Sequence, residues 1–366
     1  MQNRITLEKL FVYFNFFTLF LLLTACTSDT DKVDLEQKCI EGQILNIPDP
    51  VFKAKLLAST SSNLIVGSLI NESIKIDENN DGEIQVCEAE KVGYLNLRKS
   101  GITSLEGISA FKNLIIIRCD DNELKTLDLS NSPSLEQIHC NNNILTALNL
   151  KGLSSLRIIY FQHNQISSLN ITGANNITRL EGAYNSITEI PLLQLKKLEY
   201  LYISNNKLTN LDVQGLQNLI SLNCIENNLK SINATNCINL FGLECARNQI
   251  TSLILKNCKN LKNLGCWGNN LTSLDTSDLV ELFNLDLTNN KMISLDLRKS
   301  KKIEYLSCSV NKLESLIIKN DSNFRTYSIE NNPNLKYICC DSSEKDEVLS
   351  HVALHGYNCS VVTDCF

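Results

Sequence analysis

Proline, glycine and aromatic residues are scarce in this sequence: of 366 residues only 5 are proline and 14 glycine, and aromatics make up 6%. There is no basic tract, and the formal net charge is −6, which makes nucleic acid a poor partner. The catalytic motifs G-x-S-x-G, H-E-x-x-H and the P-loop are also missing. We therefore predict that the protein is not an enzyme.

The N-terminus has the features of a secretory signal over residues 1–25. A short basic segment precedes an apolar stretch over residues 10–23. This stretch is shorter than the roughly 20 residues that a membrane-spanning helix needs, although a transmembrane anchor remains the alternative. Residues 23–26 read Leu-Thr-Ala-Cys and resemble the bacterial lipobox, which implies acylation of Cys26.

A polar tether is predicted over residues 26–45. Thr27 stands where an aspartate would retain a lipoprotein in the inner membrane, so the outer membrane is the predicted location. The acidic tether resembles the surface-export signal of Bacteroidetes lipoproteins. Both a periplasmic and a surface orientation stay open.

A period of 21 residues is the strongest signal in the sequence. Position 1 of each repeat is apolar in eleven consecutive copies: Leu114, Leu135, Leu156, Ile177, Leu198, Leu219, Leu240, Leu261, Leu282, Ile303 and Phe324. Position 4 is also apolar in every copy. Position 9 is asparagine without exception: Asn122, Asn143, Asn164, Asn185, Asn206, Asn227, Asn248, Asn269, Asn290, Asn311 and Asn332. A poorer copy begins at Val92 and has Ser100 at position 9.

The periodic residues predict a coil with one short strand. Alternation around positions 4 and 6 is typical of a strand with one buried face. The chain must then turn, and an asparagine amide, which both donates and accepts, can satisfy the buried backbone groups of the turn from one coil to the next. About twelve coils, about 4.8 Å apart, predict a parallel sheet roughly 55 Å long.

Six copies have the form L-x-x-L-x-C-x-x-N-x-L, with Ile allowed for Leu, as in residues 240–250. The chain therefore resembles short bacterial leucine-rich-repeat proteins related to internalins, in the cysteine-bearing variant also found in many Bacteroidetes repeat proteins. The resemblance implies an α/β-type repeat solenoid dominated by β-structure, a right-handed coil with a parallel sheet on its concave face. It implies helical caps over 46–91 and 341–366 around repeats over 92–340.

Fifteen cysteines divide by their place in the repeat. Position 6 points into the core, where a free cysteine behaves as a small apolar residue. Eight cysteines are predicted in the core: Cys119, Cys140, Cys224, Cys245, Cys266 and Cys308 at position 6, and Cys237 and Cys258 at position 19. A bond between the last two is the alternative.

The remaining cysteines lie near the ends of the array. Solenoid ends need caps, and disulfides there suit an oxidising compartment. We predict a Cys39–Cys87 bond in the N-terminal cap. In the C-terminal cap we predict pairing among Cys339, Cys359 and Cys365, with Cys340 turned into the core.

Residues 77–88 match the twelve-residue EF-hand loop, with oxygen donors at places 1, 3 and 5, glycine at 6 and glutamate at 12. The predicted ligands are Asp77, Asn79, Asp81, the carbonyl of Glu83, Gln85 through a water, and Glu88. We predict a structural Ca²⁺ ion in this cap; the alternative is an acidic turn without metal. A serine-rich insert over 59–73 separates the loop from a helix predicted over 47–57.

Strand positions 3, 5 and 7 are expected to face the concave surface, with position 8 beside them. Six of the ten tyrosines and the single tryptophan occupy these positions. Tyrosine and tryptophan side chains contribute strongly to binding interfaces and tolerate partial exposure to water. The alternative is ordinary strand composition, because aromatic residues favour sheets. The predicted partner-binding residues are Arg118, His139, Tyr160, Glu181, Tyr184, Tyr200, Tyr202 and Trp267.

His351 and His355 are spaced as i and i+4 and could share a metal ion, but the sequence names no third ligand, which favours an inert pair. The features together favour a cell-envelope lipoprotein that binds a protein or glycan partner through its concave face. The alternative is an envelope scaffold without a host or glycan ligand. The sequence carries no indication of oligomeric state.

Overall fold

A computed structural model of the chain describes residues 42–322 and 324–365, which belong to one folded unit beginning at Gly42. The predicted signal peptide, the lipid-attachment residue Cys26 and Cys39 lie outside these residues. No helix in the described ranges is long and apolar enough to cross a membrane.

Strands of two to five residues make up most of the regular structure. In chain order the elements are α1 (Pro50–Leu57), β1 (Val66–Ser68), α2 (Val86–Glu90), β2 (Val92–Asn96), a 3-10 turn (Ile108–Ala110), β3 (Ile116–Arg118), β4 (Gln137–His139), β5 (Ala147–Asn149), β6 (Ile158–Tyr160), β7 (Ser168–Asn170), β8 (Arg179–Glu181), β9 (Tyr200–Tyr202), β10 (Leu211–Asp212), β11 (Ser221–Asn223), β12 (Ser231–Asn233), β13 (Gly242–Glu244), β14 (Ser252–Ile254), β15 (Asn263–Gly265), β16 (Asn284–Asp286), β17 (Ser294–Asp296), β18 (Tyr305–Ser307), β19 (Ser315–Ile317), β20 (Thr326–Ser328), β21 (Tyr337–Cys339), α3 (Lys345–Leu354) and β22 (Ser360–Val362).

The main sheet has thirteen strands, in the order β1-β2-β3-β4-β6-β8-β9-β11-β13-β15-β16-β18-β20. Every pair is parallel except β1 with β2. Position 4 of one repeat pairs with position 4 of the next, as Ile117 does with Ile138. The predicted fold class, a leucine-rich-repeat solenoid with a parallel sheet and helical caps, is confirmed.

A second set of strands, around positions 13 to 15, lies on the opposite side of the coils and forms three separate sheets, β5-β7, β10-β12-β14 and β17-β19-β21-β22. The gap between the first two sheets falls in the coil that contains Pro191. Proline has no N–H to donate to a ladder, so it interrupts pairing at this place. These strands are not apparent in the sequence, because a single apolar residue per coil marks them.

The core is a continuous column of side chains that includes positions 1, 4, 6, 11 and 19 of the repeats. The eight cysteines predicted in the core are all fully buried and unpaired. Gly182 and Phe161 occupy position 6 in two adjacent copies, and a Cβ atom on Gly182 would stand 2.1 Å from the Phe161 ring. The missing side chain at one position therefore makes room for the large one at the other.

The asparagines at position 9 link each coil to the one before it. The Nδ2 atom of Asn143 donates to the carbonyls of Cys140 in its own coil, at 3.2 Å, and of Cys119 in the preceding coil, at 3.0 Å. Its Oδ1 atom accepts the N–H of Leu124, also in the preceding coil, at 3.0 Å. Buried backbone groups that water cannot reach are thereby paired.

Position 8 has a left-handed backbone in every copy, with φ between 52° and 68°. The residues are Asp121, Asn142, His163, Tyr184, Asn205, Glu226, Arg247, Gly268, Asn289, Val310 and Asn331. This conformation favours glycine, asparagine and aspartate, which occupy six of these eleven places. The turn after each strand is thus sharp enough to bring position 9 back into the core.

One carboxylate joins the N-terminal helix to the repeats. The Oδ1 atom of Asp49 accepts the N–H groups of Val51 and Phe52, at 2.9 and 3.0 Å, and so caps α1. Its Oδ2 atom accepts the N–H groups of Thr103 and Ser104, at 2.8 and 2.9 Å. Burial alone would raise the pKa of Asp49, but these hydrogen bonds outweigh it and lower the pKa to about 2.

The serine-rich insert supplies β1, which pairs antiparallel with β2. It covers an edge of the main sheet that would otherwise be open to pairing with another chain. Residues 77–85 follow and lead directly into helix α2.

The C-terminal cap closes the other end with a helix and a strand. Helix α3 buries Val348 and Val352 against the core, and β22 adds one parallel strand to the second-side sheet beside β21. The hydroxyl of Tyr357 accepts the N–H of Asn332 at 3.1 Å and donates to the carbonyl of Ile329 at 2.9 Å. The cap therefore satisfies backbone groups of the final repeat.

We predict that Asn227→Ala lowers the free energy of unfolding by about 2–4 kcal/mol, because it leaves the buried N–H of Leu208 and the carbonyls of Ile203 and Cys224 without their amide partner. Urea denaturation followed by circular dichroism measures the change. Asn228→Ala is the matched control, since Asn228 is exposed and its loss should cost less than about 0.5 kcal/mol. Equal effects of the two substitutions would contradict the stabilising role of the ladder.

Candidate functional site

Five of the predicted binding residues lie side by side at position 5 of adjacent strands. Arg118 pairs with His139, His139 with Tyr160, Tyr160 with Glu181, and Glu181 with Tyr202. At a strand spacing of about 4.8 Å, the row spans about 19 Å. We call these five residues, together with Arg179 and Tyr200 at position 3, the concave-face cluster.

Arg179 organises the middle of this cluster. Its guanidinium carbon lies 4.0 Å from the centroid of the Tyr200 ring and 5.9 Å from that of Tyr202, within the range of cation–π contacts. Its Nη1 atom lies 2.6 Å from Oε1 of Glu181, and Gln162 donates to the other carboxylate oxygen at 2.9 Å. Three cluster side chains are therefore held in place by Arg179. The sequence does not indicate this role, because position 3 follows no residue pattern.

At the Arg118 end of the cluster, two polar side chains have a buried nitrogen atom without a hydrogen-bond partner in the described ranges. The His139 ring lies 4.7 Å from that of Tyr160. Burial, together with the nearby positive charges of Arg118 and Arg98, lowers the pKa of His139 to about 4, so the imidazole is neutral at pH 7. Its Nε2 atom and the Nε atom of Arg118 are buried and make no hydrogen bond within the described part of the chain. A bound partner could satisfy both.

Tyr184 and Trp267 stand apart from the strands of the cluster. Tyr184 lies in the left-handed turn at position 8, half exposed, and its ring is stacked on that of His163 at 4.4 Å. It therefore borders the cluster. Trp267 lies three coils beyond Tyr202 and packs against Arg247 at 4.7 Å, so the structure does not bring it into the cluster.

The predicted calcium loop is a compact turn in which the side chains of Asp77 and Glu88 are buried. The carboxylate of Asp77 accepts the N–H groups of Asp81 and Gly82, at 3.2 and 3.3 Å. The carboxylate of Glu88 accepts those of Glu78 and Gln85, at 2.8 and 2.9 Å. Gly82 has a φ of 78°, the left-handed backbone that the sixth place of such a loop requires.

The remaining loop residues form hydrogen bonds within the loop and one ion pair with helix α1. Asp81 accepts a hydrogen bond from Gln85 at 2.7 Å and one from Asn79 at 2.8 Å. Glu83 forms an ion pair with Lys53 of α1 at 2.5 Å, so the helix contacts the loop in space although the insert separates them in sequence. Burial raises the pKa of Glu88. A cation bound at the loop would offset the free-energy cost of burying the negative charge of Glu88.

The cysteines of the caps are only partly paired in the described ranges. Cys339 and Cys365 form a disulfide with their Cα atoms 5.9 Å apart, while Cys359 is unpaired and partly exposed and Cys340 is unpaired and buried in the core. Cys87 is disulfide-bonded. The predicted partner of Cys87, Cys39, lies outside the described residues.

Burial disfavours the thiolate form of several cysteines of the core. Burial raises the pKa of Cys119, Cys140 and Cys224 above the ordinary range, and that of Cys308 to about 12. Because the thiolate is the reactive form, these cysteines act as packing residues.

No protein-family profile and no curated protein sequence matches the chain. Solved structures do match. The functional domain of InlJ from Listeria monocytogenes, which includes a cysteine ladder, is 26% identical with a TM-score of 0.68, and the match covers 81% of this chain and 63% of that one. The present chain thus spans less than two thirds of that domain.

Two further matches are more distant. The leucine-rich-repeat domain of APL1B is 18% identical with a TM-score of 0.53, covering 75% of this chain and 88% of that one. A chain of the Toll–Spatzle complex from Drosophila is 20% identical with a TM-score of 0.51, covering 68% and 40%. The chain therefore has the leucine-rich-repeat fold, and its predicted resemblance to internalin-like repeats with a cysteine ladder is confirmed.

Proposed function

We propose that this protein is a non-enzymatic recognition module that binds a protein partner through the concave-face cluster. The observation that carries the proposal is the in-register row of Arg118, His139, Tyr160, Glu181 and Tyr202. Tyrosine and arginine are the residues that most often dominate protein interfaces, and here ring stacking and ion pairing hold them in position before any partner arrives. Preorganised side chains lose less conformational freedom on binding.

The neighbouring structures support protein binding in general terms. The Toll–Spatzle structure is a complex of a leucine-rich-repeat chain with another protein, so this scaffold is compatible with such a role. The cluster also combines both signs of charge with neutral polar groups, which suits a protein surface better than a uniformly polar sugar. Glycan binding is the second candidate, supported by the exposed, stacked Tyr184 and His163 rings at the border of the cluster.

We further propose that the protein is a lipoprotein of a bacterial outer membrane, acylated at Cys26. The support comes from the sequence: the lipobox-like residues 23–26, the short apolar stretch before them and the polar tether after them. One multi-chain lipid suffices to hold a folded domain at a membrane surface. The Bacteroidetes type of the lipoprotein is part of this proposal.

The loop at residues 77–88 is proposed to bind Ca²⁺ as a structural ion of the N-terminal cap. Asp77, Asn79, Asp81 and Glu88 would supply side-chain oxygens, Glu83 its carbonyl, and Gln85 a water-mediated contact, a donor set that suits this hard cation. The carboxylates of Asp77 and Glu88 already converge on the same turn through their backbone hydrogen bonds.

The binding proposal predicts that Tyr160→Ala, Tyr200→Ala and Tyr202→Ala each weaken partner binding at least about 10-fold, because each removes an aromatic anchor near the centre of the interface. A photo-crosslinking residue at position 160 on intact cells identifies the partner, and calorimetry then measures its dissociation constant. Tyr337→Ala on the second-side sheet is the matched control. Undiminished binding in all three variants would favour the scaffold function, and glycan-array binding lost in the same variants would favour the glycan.

The lipid proposal predicts that the parent incorporates radiolabelled palmitate in cells and that Cys26→Ser does not. Cys359→Ser, which removes an unpaired and partly exposed cysteine, should keep the label. Protease added to intact cells then decides the orientation, because only a surface-exposed chain is cleaved. Label retained in Cys26→Ser contradicts acylation at this residue.

The calcium proposal predicts that Ca²⁺ raises the melting temperature of the parent relative to chelator, since a ligand that binds only the folded state stabilises it. The double variant Asp77→Ala/Glu88→Ala should lose this difference. Glu123→Ala/Glu189→Ala, which removes two exposed acids elsewhere, should keep it. Equal melting of the parent with and without chelator overturns the proposal.

A further inference from the structure

The C-terminal cap places two histidines opposite a glutamate of the last repeat. His351 lies in the last turn of α3, and His355, four residues later, is the residue that directly follows the helix as its C-cap. Glu330 follows β20, the last strand of the main sheet. One ligand atom from each of these three side chains lies within 4.8 Å of the others, and His355 Nε2 is 3.9 Å from Glu330 Oε1. No other such group of His, Cys, Asp or Glu occurs in the ranges that the structure describes.

The hydrogen bonds of the cap leave this cluster incompletely satisfied. The Nδ1 atom of His351 is buried and has no hydrogen-bond partner among residues 42–322 and 324–365. A buried imidazole nitrogen without a partner is a destabilising feature that a coordinated cation would remove. The site is therefore more than two surface histidines at helical spacing.

The surrounding residues restrain the three side chains. The His351 ring lies 4.6 Å from that of Tyr327, and the His355 ring 5.8 Å from that of Tyr357. Glu330 accepts a hydrogen bond from the hydroxyl of Ser309 in the preceding coil, the kind of outer contact that orients a metal-binding carboxylate.

We propose that Glu330, His351 and His355 bind a divalent transition-metal ion, with Zn²⁺ the best match. Two imidazoles and one carboxylate suit Zn²⁺, whereas Ca²⁺ and Mg²⁺ prefer oxygen donors alone. Zinc–ligand distances of about 2.0–2.2 Å in a tetrahedral site place ligand atoms about 3.5 Å apart. The observed separations, 3.9 Å between His355 and Glu330 and no more than 4.8 Å for the others, would have to shorten on metal binding.

The metal would have a structural role. It would join α3 to the last repeat, next to the point where Tyr357 already bonds the backbone of Asn332. In the zinc-hydrolase motif H-E-x-x-H a glutamate follows the first histidine and acts as general base, but here Val352 follows His351. The fourth ligand would be water.

Cobalt and zinc titrations of the whole chain, purified without a histidine tag and kept in excess Ca²⁺, test the proposal. We expect one equivalent of Co²⁺ to give the visible d–d absorption of a tetrahedral site and to be displaced by Zn²⁺. In the NMR spectrum of the parent, Zn²⁺ should shift the imidazole signals of His351 and His355 and leave those of His139 and His163 unchanged. This measurement needs no substitution and so does not depend on the folding of a variant.

Variants then assign the ligands. His351→Ala and His355→Ala should weaken Zn²⁺ binding by more than about 100-fold, and Ser309→Ala, which removes only the orienting hydrogen bond, by about 10–100-fold. His163→Ala, which removes an exposed imidazole elsewhere, should bind as the parent does. The proposal is overturned if the parent shows no saturable Co²⁺ absorption, if Zn²⁺ shifts the signals of other histidines, or if the His351 and His355 variants bind as tightly as the control.

Discussion

The buried asparagine amide at position 9 is the interaction on which the rest of the structure depends. Each amide pairs backbone groups of its own coil with those of the coil before it, as Asn143 does with Cys140 and Cys119. No coil is therefore complete without its neighbour, which is why the array must end in dedicated caps. The poorer first copy has Ser100 in place of asparagine, and its backbone N–H is still paired, by Asn122 of the next coil.

The same dependence explains the form of the C-terminal cap. Asn332 is the last of the ladder, and no further repeat covers its coil. Tyr357 binds the backbone of Asn332 and Ile329 through its hydroxyl, while β22 and the Cys339–Cys365 bond close the other side. A single side chain thus takes over part of the role that the next coil plays elsewhere.

The period of the sequence made much of the candidate binding site predictable. In a coil of constant length, residues 21 apart occupy neighbouring strands, so the row from Arg118 to Tyr202 follows directly from the register. Arg179 could not be predicted, because position 3 is a solvated place where Ile, Gln, Ser and Gly also occur. Glu330 was missed for a different reason: α3 lies outside the period, so no repeat rule states which residue it faces.

The gaps between the second-side sheets affect how easily the solenoid bends. The main sheet is hydrogen-bonded along the whole array, but the opposite side is divided twice, at the coil of Pro191 and at the coil between β14 and β17. Bending that opens this side breaks fewer hydrogen bonds there than within an intact sheet. The Pro191 coil carries Arg179 and Glu181 on its other side, so one of the two gaps lies directly behind the concave-face cluster. At these two coils the curvature of the array is less constrained than within an intact sheet.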